Sequence, residues 1–454
     1  MSKPIPIKKN QSFSNLPLTK DRRFGTDGIR GPVDTIMNPL FVTKLGWAAG
    51  TVLLEEGITK VLIGKDTRIS GYMLESALQA GFISSGMDVI LLGPLPTPGV
   101  SFLASSNKQA GVVISASHNL FEDNGIKFFN KDGQKFSLEL ETRIETKLSQ
   151  NIESVKSINL GKATRMSDAQ GRYIEFCKSN FKDLDLSGLS LLLDCAHGAT
   201  YSVAPKVFEE LGAKVTTIGA EPDGVNINQN CGTTNPEFIR EEILKGDYDL
   251  GISFDGDGDR ILLVSNTGSI LDGDDLLYVL SKDLSKESGV VGTLMTNKAL
   301  ELYFQEMNID FCRVDVGDKY VFQKLLEKNW TLGGEPSGHI ICLDSAQTGD
   351  AIVAALKLLN SLKEENFDVD ISIKEFAKLP QTLINLSVNN PNKIIINDKF
   401  WSEVTFIERK LGEKGRVLIR PSGTEPLIRI MVESEREKDS EDYSNRLADL
   451  ASKL

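Results

Sequence analysis

The chain has 454 residues, of which 40% are apolar and 25% charged, and its formal net charge is −12. That length accommodates roughly three domains, give or take one, each with its own core, in a composition ordinary for a soluble globular protein. The acidic balance excludes a general nucleic-acid or anionic-membrane surface, so arginines and lysines that matter must be focused in pockets.

The first twenty residues carry Lys and Asn without an apolar core and are expected to form a flexible tail, not a secretion signal. No apolar run approaches the length of a membrane span. Strand-like and helix-like segments then alternate, the mark of α/β layers. Residues 61–64, 88–92 and 111–115 are predicted strands, with helices such as 73–85 between them. Strands 189–193 and 214–218 flank a helix near 203–211 in a βαβ unit. A helix from Asp274, strand 290–295, a helix from Lys298 and strand 311–316 follow. The last segment differs: strand 382–388, helix 398–411, strands 415–419 and 427–433, and a charged terminal helix. Composition shifts near 161–167, 266–273 and 379–380 place a tail at 1–20 and domains at 21–163, 164–265, 266–380 and 381–454. The expected fold class is therefore three similar α/β domains with mixed sheets plus a smaller C-terminal α+β domain. Five cysteines, at 177, 195, 231, 312 and 342, include no Cys-x-x-Cys pair, which fits reduced thiols in a cytoplasmic protein.

Three times an apolar strand runs into a small-residue turn carrying polar groups, and in open α/β sheets ligands collect at such strand ends. The most informative is Asp255-Gly-Asp-Gly-Asp-Arg260, between strand-like 249–254 and 261–264. Three carboxylates crowd about −3 of charge into one loop, a cost that points to a bound cation. Alternation aims Asp255, Asp257 and Asp259 the same way, and glycine lets the backbone curl around an ion. An EF-hand is excluded, because its required glycine and glutamate positions hold Arg260 and Asn266. Arg260 beside a metal site suggests a further anion, such as phosphate.

The second turn is Ile114-Ser-Ala-Ser-His-Asn119, where Ser115 or Ser117 is a nucleophile, a phosphorylation site or a plain turn serine. His118 is its nearest possible base, although sequence neighbours usually point apart in an extended turn. Lys127 either returns to this loop as a cation or proton acceptor or lies exposed. The third turn, Leu332-Gly-Gly-Glu-Pro-Ser-Gly-His339, offers Glu335, Ser337 and His339 at alternate positions on one face. It suits sugar hydroxyls, or is an ordinary polar Gly-Pro turn. Arg420-Pro-Ser-Gly-Thr424 combines a fork-shaped cation, two hydroxyls (Ser422 and Thr424) and Gly423, an anion nest suited to a phosphate monoester, with Arg429 on the next strand. Asp194-Cys195-Ala-His197 has no partner pair and is expected to be a buried Cys beside a satisfied His.

Taken in order, Phe24-Gly-Thr-Asp-Gly-Ile-Arg30, Ile114–Asn119, Asp255–Arg260, Gly334-Glu-Pro-Ser-Gly-His339 and Arg420–Thr424 resemble the signature of the α-D-phosphohexomutases. Within that superfamily, residues 119–129, 316–321 and 420–433 are most similar to the bacterial phosphoglucosamine mutases. Two positions depart: Leu120 stands where proline is usual, and Lys319 where arginine is common. Lys319 would hold an anion less bidentately.

The resemblance implies four domains around a central cleft and a phosphoserine at Ser117. It implies that Asp255, Asp257 and Asp259, with the phosphoserine oxygen of Ser117, ligate one Mg²⁺. Glu335, Ser337 and His339 would hold the sugar. Arg420, Ser422, Gly423, Thr424 and Arg429 would hold the idle phosphate, and Arg30, His118, Lys127 and Arg260 would lie near the transferred group. The implied activity interconverts glucosamine 6-phosphate and glucosamine 1-phosphate through a bisphosphate, primed by glucosamine or glucose 1,6-bisphosphate, for amino-sugar and cell-wall precursor synthesis. Phosphomannomutase or phosphoglucomutase activity and a non-catalytic phosphosugar-binding regulator are the alternatives. The expected partner is a phosphosugar, with no nucleic acid and no membrane, and a homodimer is left open.

Overall fold

The computed structural model describes residues 23–25, 27–285, 287–388, 390–421 and 426–454. The expected tail at 1–20 lies outside them. Two compact units are present. The first holds the described residues up to Ile239, with Ser253–Asp259 and Ala346–Thr348; the second holds Arg240–Ile252, Arg260–Ser345 and Gly349–Leu454.

Six strands form one sheet in the first unit: β1 (Ile29–Pro32), β2 (Lys60–Lys65), β3 (Asp88–Pro94), β4 (Ala110–Ile114), β5 (Asp123–Phe129) and β6 (Ala163–Arg165). Their order is β1-β5-β4-β2-β3-β6. Strands β4, β2, β3 and β6 run parallel, whereas β5 is antiparallel to both β4 and β1. The parallel strands β2 and β4 are buried almost throughout, which explains their unbroken apolar runs. Helices Pro39–Glu55 and Ser70–Ser85 pack backbone against backbone. A Cβ at Gly81 would lie 2.1 Å from the Thr43 carbonyl oxygen, so only glycine permits the crossing. Strand β5 went unrecognised in the sequence because its first residues are polar. Its register sets Lys127 opposite Val113 and Ile126 opposite Ile114, level with the start of the serine turn. A parallel pair follows, β7 (Ser190–Asp194) and β8 (Lys214–Ile218). Strand β9 (Leu250–Phe254) is wholly buried and runs directly into the acidic turn.

In the second unit, β10 (Ile261–Ser265) and β11 (Ile270–Leu271) pair antiparallel. A four-stranded sheet contains β12 (Gly289–Thr293), β13 (Asp310–Val314), β14 (Leu332–Gly334) and β15 (Ile340–Cys342), in the order β13-β12-β14-β15. Only β15 runs antiparallel to its neighbour, so this sheet is mixed as well. The last sheet is antiparallel: β16 (Gln381–Ser387), β17 (Arg416–Pro421) and β18 (Leu427–Glu433), in the order β16-β18-β17. Helices Asp398–Leu411 and Glu437–Ser452 close it over Phe400, Val404, Ile407, Ile430 and Leu447. Among the described residues no helix is long and apolar enough to cross a membrane.

One ionic group fastens the last sheet to the sheet before it. Glu433 has no exposed surface; it takes Arg416 Nε at 2.6 Å and the Lys298 amide, at the start of helix Lys298–Glu306, at 3.1 Å. Arg416 also donates to the carbonyls of Leu294 at 2.8 Å and Thr296 at 2.7 Å. Removing one member of a buried pair strands the other. Glu433→Ala is expected to destabilise the protein by roughly 3–5 kcal/mol, read as a lowered midpoint in urea unfolding; an unchanged midpoint would assign the pair no structural weight.

Candidate active site

The serine turn begins where β4 ends. Ser117 is 1% exposed and adopts a left-handed backbone with φ of +51°. Its Oγ donates to Asp255 Oδ2 at 2.6 Å. His118 does not point away, as an extended turn would require. The left-handed residue bends the chain, and His118 Nδ1 lies 3.3 Å from Ser117 Oγ. The other serine, Ser115, donates instead to Asp66 Oδ2 at 2.6 Å.

Asp255, Asp257 and Asp259 are all buried, and each offers a carboxylate oxygen within 4.8 Å of the other two. The turn is tight because glycine separates them. A Cβ at Gly256 would come 2.6 Å from the Ser117 carbonyl oxygen, so this glycine permits the serine loop to sit directly on the acidic turn. Thr97 supports the turn from its other side, with Oγ1 on Asp257 Oδ2 at 2.5 Å and its amide on the Asp257 carbonyl at 2.8 Å.

Lys127 is 1% exposed, which rules out the exposed reading. Its Nζ bonds Asp257 Oδ2 at 2.8 Å, Asp259 Oδ2 at 3.1 Å and Asp27 Oδ2 at 3.0 Å. Burial alone would lower its pKa, but Asp257, Asp259 and Asp27 outweigh that and hold it well above the usual lysine value. The amine is thereby held as a buried cation among three carboxylates. Asp27 is the mirror case. Burial would raise it, yet Lys127, Lys135 and Arg30 keep its carboxyl well below the usual range. Arg30 pairs with Asp27, which draws it to the same cluster.

The Asp255–Asp259 set fits a hard divalent cation. Its donors are all carboxylate oxygens, and Asp257 Oδ1 is buried without a hydrogen-bond partner. Among the described residues Asp27, Asp257 and Asp259 converge on Lys127, and Asp27 also pairs with Arg30 and Lys135.

In the second unit, Arg260 immediately precedes β10 and is half-buried. The neighbouring Ile261 amide donates to the Gly338 carbonyl at 3.0 Å, so the 335–339 turn lies against the start of β10. Glu335 and His339 both reach the turn at Gly317 and Asp318. The segment is a hairpin turn between β14 and β15, with the Glu335 amide on the His339 carbonyl at 3.1 Å. Glu335 and His339 are buried while Ser337 is exposed. Glu335 Oε1 accepts from the Gly317 amide at 2.9 Å, and His339 Nε2 is 3.6 Å from Asp318 Oδ2. Lys319 follows directly, its amide on Asp318 Oδ1 at 2.8 Å. Arg420 and Arg429 face each other directly on β17 and β18. Ser422, Gly423 and Thr424 lie outside the described residues.

Asp194 and Cys195 are both wholly buried. Asp194 accepts the amides of Ala196 and Gly232, burial raises its pKa to about 6, and burial pushes the Cys195 thiol far up. His197 Nδ1 accepts the Glu221 amide at 3.2 Å, and all five cysteines are free thiols.

Four family descriptions cover the chain in order: Phosphoglucomutase/phosphomannomutase alpha/beta/alpha domains I (residues 21–154), II (171–268) and III (272–379), and the C-terminal domain (383–450). The phosphoglucosamine mutase of Legionella pneumophila (strain Corby) is 52% identical over 423 residues, 92% of this chain and 93% of that protein. The chain belongs to the phosphoglucosamine mutase family. The phosphoglucosamine mutase of Aeromonas hydrophila is likewise 52% identical, over 94% of this chain and 97% of its own. Aspergillus fumigatus N-acetylphosphoglucosamine mutase, solved in complex with GlcNAc-6P and magnesium, shares the fold with a TM-score of 0.68 at 16% identity, over 95% of each chain.

Sequence reasoning on this family member passed over Asp66, Arg68, Thr97 and Asn228, and assigned no role to Asp27. Asp66-Thr-Arg68 follows the apolar strand β2, so the rule that singled out the other turns would have found it. Thr97 and Asn228 carry no sequence signal, since they reach the site only through tertiary contact.

A divalent cation is expected to stabilise the chain by about 2.7 kcal/mol at a hundred times its Kd. Asp257→Asn combined with Asp259→Asn is expected to abolish that gain. A thermal melt in Mg²⁺ against chelator checks both, and an identical shift in the double variant would move the cation elsewhere.

Proposed function

We propose that the chain interconverts glucosamine 6-phosphate and glucosamine 1-phosphate through a phosphoserine at Ser117 and a glucosamine 1,6-bisphosphate intermediate. The observation that carries this reading is Ser117 Oγ at 2.6 Å from Asp255, inside a buried acidic set that Lys127 bridges. Chain-long identity near one half to phosphoglucosamine mutases supports the choice of sugar.

In the first half-reaction the 1-hydroxyl oxygen of the sugar attacks the phosphorus on Ser117. The Ser117 Oγ–P bond breaks, the proton of the 1-hydroxyl passes to the departing Ser117 Oγ, and the bisphosphate forms. After the intermediate turns over, Ser117 Oγ attacks the phosphorus at position 6. The sugar O6–P bond breaks, the serine proton passes to the departing O6, glucosamine 1-phosphate leaves, and the phosphoserine is restored. A sugar 1,6-bisphosphate would prime the unphosphorylated chain. Asp255, Asp257 and Asp259, with a phosphoserine oxygen, would hold one Mg²⁺, which supplies neutralising charge for the transferred group when bound. Phosphorylation adds about −1.5 to −2 of charge, which is why Lys127 must remain a cation and why Arg30 and Arg260 are assigned near the transferred group. His118, 3.3 Å from Ser117 Oγ, is the side chain proposed to exchange the serine proton.

The 335–339 turn is proposed to take sugar hydroxyls, using the Glu335 oxygen not bound to Gly317, together with Ser337 and His339. The idle phosphate is assigned to Arg420, Ser422, Gly423, Thr424 and Arg429. Like charges directly opposite on adjacent strands repel, and an anion between Arg420 and Arg429 removes that cost. A cytoplasmic setting belongs to the same proposal, supported by the free cysteines.

Ser117→Ala is expected to lose isomerisation and keep phosphosugar binding, measured by turnover and calorimetry; retained turnover rejects Ser117 as nucleophile. Turnover of glucosamine, glucose and mannose phosphates is compared in the same assay. A poorest rate on glucosamine phosphate would favour the phosphomannomutase or phosphoglucomutase reading, and binding without turnover would favour a regulator. Arg420→Ala is expected to weaken substrate binding by about 2–3 kcal/mol, the scale of a lost charge-assisted bond. An unchanged KM would remove that loop from the phosphate site.

A further inference from the structure

The loop that carries Ser117 is clamped by two side chains with no part in the proposed transfer chemistry. Arg68 is among the largest fully buried side chains, at 1% exposure. Its Nη2 donates to the carbonyl oxygens of Ser117 at 3.0 Å and Asn119 at 2.7 Å, and its Nη1 to that of Leu120. Asn228 Nδ2 donates to the same Ser117 and Asn119 carbonyls, at 2.8 and 2.9 Å. Asp66 Oδ2 completes the arrangement. It takes Arg68 Nε at 2.9 Å and Ser115 Oγ at 2.6 Å, and Ser115 Oγ in turn accepts the Ser117 amide at 2.9 Å.

Both the amide and the carbonyl of Ser117 are thereby tied, at a residue whose positive φ a non-glycine side chain disfavours. Left to itself, the backbone would relax and swing Oγ off Asp255. We propose that Arg68 and Asn228 are positioning residues for phosphoryl transfer: by gripping the Ser117 carbonyl they return Oγ to one place beside Asp255 whether or not it carries phosphate. A mutase needs this because its serine must be donor in one half-reaction and acceptor in the other, and a group misplaced by 1 Å transfers poorly. Only a guanidinium can do it from this site. Its planar fork reaches three carbonyls and a carboxylate at once, whereas a lysine offers three donors from a single atom. Leu120, where the family usually has proline, contributes its carbonyl to the grip, so the loop is held from the backbone side even without the stiffer residue.

This inference rests on the mutase reading. The full chain is assayed as Arg68→Lys and as Asn228→Ala, the second removing one donor while leaving Arg68 in place. Three quantities are read: kcat and KM for the sugar phosphate, the thermal midpoint, and the rate at which a sugar bisphosphate primer rephosphorylates Ser117. Both variants are expected to lose kcat and rephosphorylation rate together, about tenfold or more for Arg68→Lys and about threefold or more for Asn228→Ala. KM and the Asn228→Ala midpoint are expected to stay at parent values. Unchanged kcat in both variants, or a loss matched by an equal rise in KM or by a fall in the Asn228→Ala midpoint, overturns the positioning role. A parent chain that does not isomerise sinks the mutase reading itself, whereas an active parent with unaffected variants sinks this inference alone.

Discussion

A lysine with almost no solvent exposure, held between Asp27, Asp257 and Asp259, is the interaction on which the first unit's chemistry depends. Burying a lone ammonium or a lone carboxylate is prohibitively costly, and burying them together is tolerable only when the geometry satisfies both. Lys127 meets that condition because β5 carries it in register beside β4, from whose end the serine turn departs. The strand pairing, the acidic turn and the serine turn are thus one electrostatic arrangement. Altering any of the three leaves charge uncompensated in the interior.

Rigidity follows from the same economy of space. Gly256 admits the Ser117 carbonyl where any side chain would collide, and that carbonyl is then occupied by Arg68 and Asn228. A charge-transfer site gains from such preorganisation, since dipoles and ions already in place need not reorganise as the phosphoryl group moves. The second unit applies a related device on a different scale. Glu433 and Arg416 fasten the final sheet to the residues before helix Lys298–Glu306, so the strands that present Arg420 and Arg429 start from an anchored base.

Much of the fold could be read from the chain because its local signals agree with its tertiary outcome. Helix Asp398–Leu411 and strand Leu427–Glu433 lie where periodicity puts them, each bounded by polar or charged residues and carrying an apolar face. The polar opening of β5 hid a strand, and Pro39–Glu55, apolar on almost every side, offered no amphipathic contrast by which to recognise it. Glu335 and His339 are brought to Gly317 and Asp318 by a hairpin turn, whose closure by the Glu335 amide on the His339 carbonyl no alternation rule describes.

Short-range chemistry was inherent in the residue order. The triple carboxylate with its glycines, the serine after a buried strand and the arginine-hydroxyl loop each concentrate charge or donors so densely that composition alone points to cation and phosphate. Which of two serines faces the aspartates, that Lys127 is buried, that His118 stays beside Ser117, and that Arg68 and Asn228 grip its carbonyl were settled by packing. Those facts depend on segments 49 to 138 residues apart, on one left-handed residue and on the register of one antiparallel strand. No local window of sequence encodes such distances, because they arise only when separate strands close on a common core.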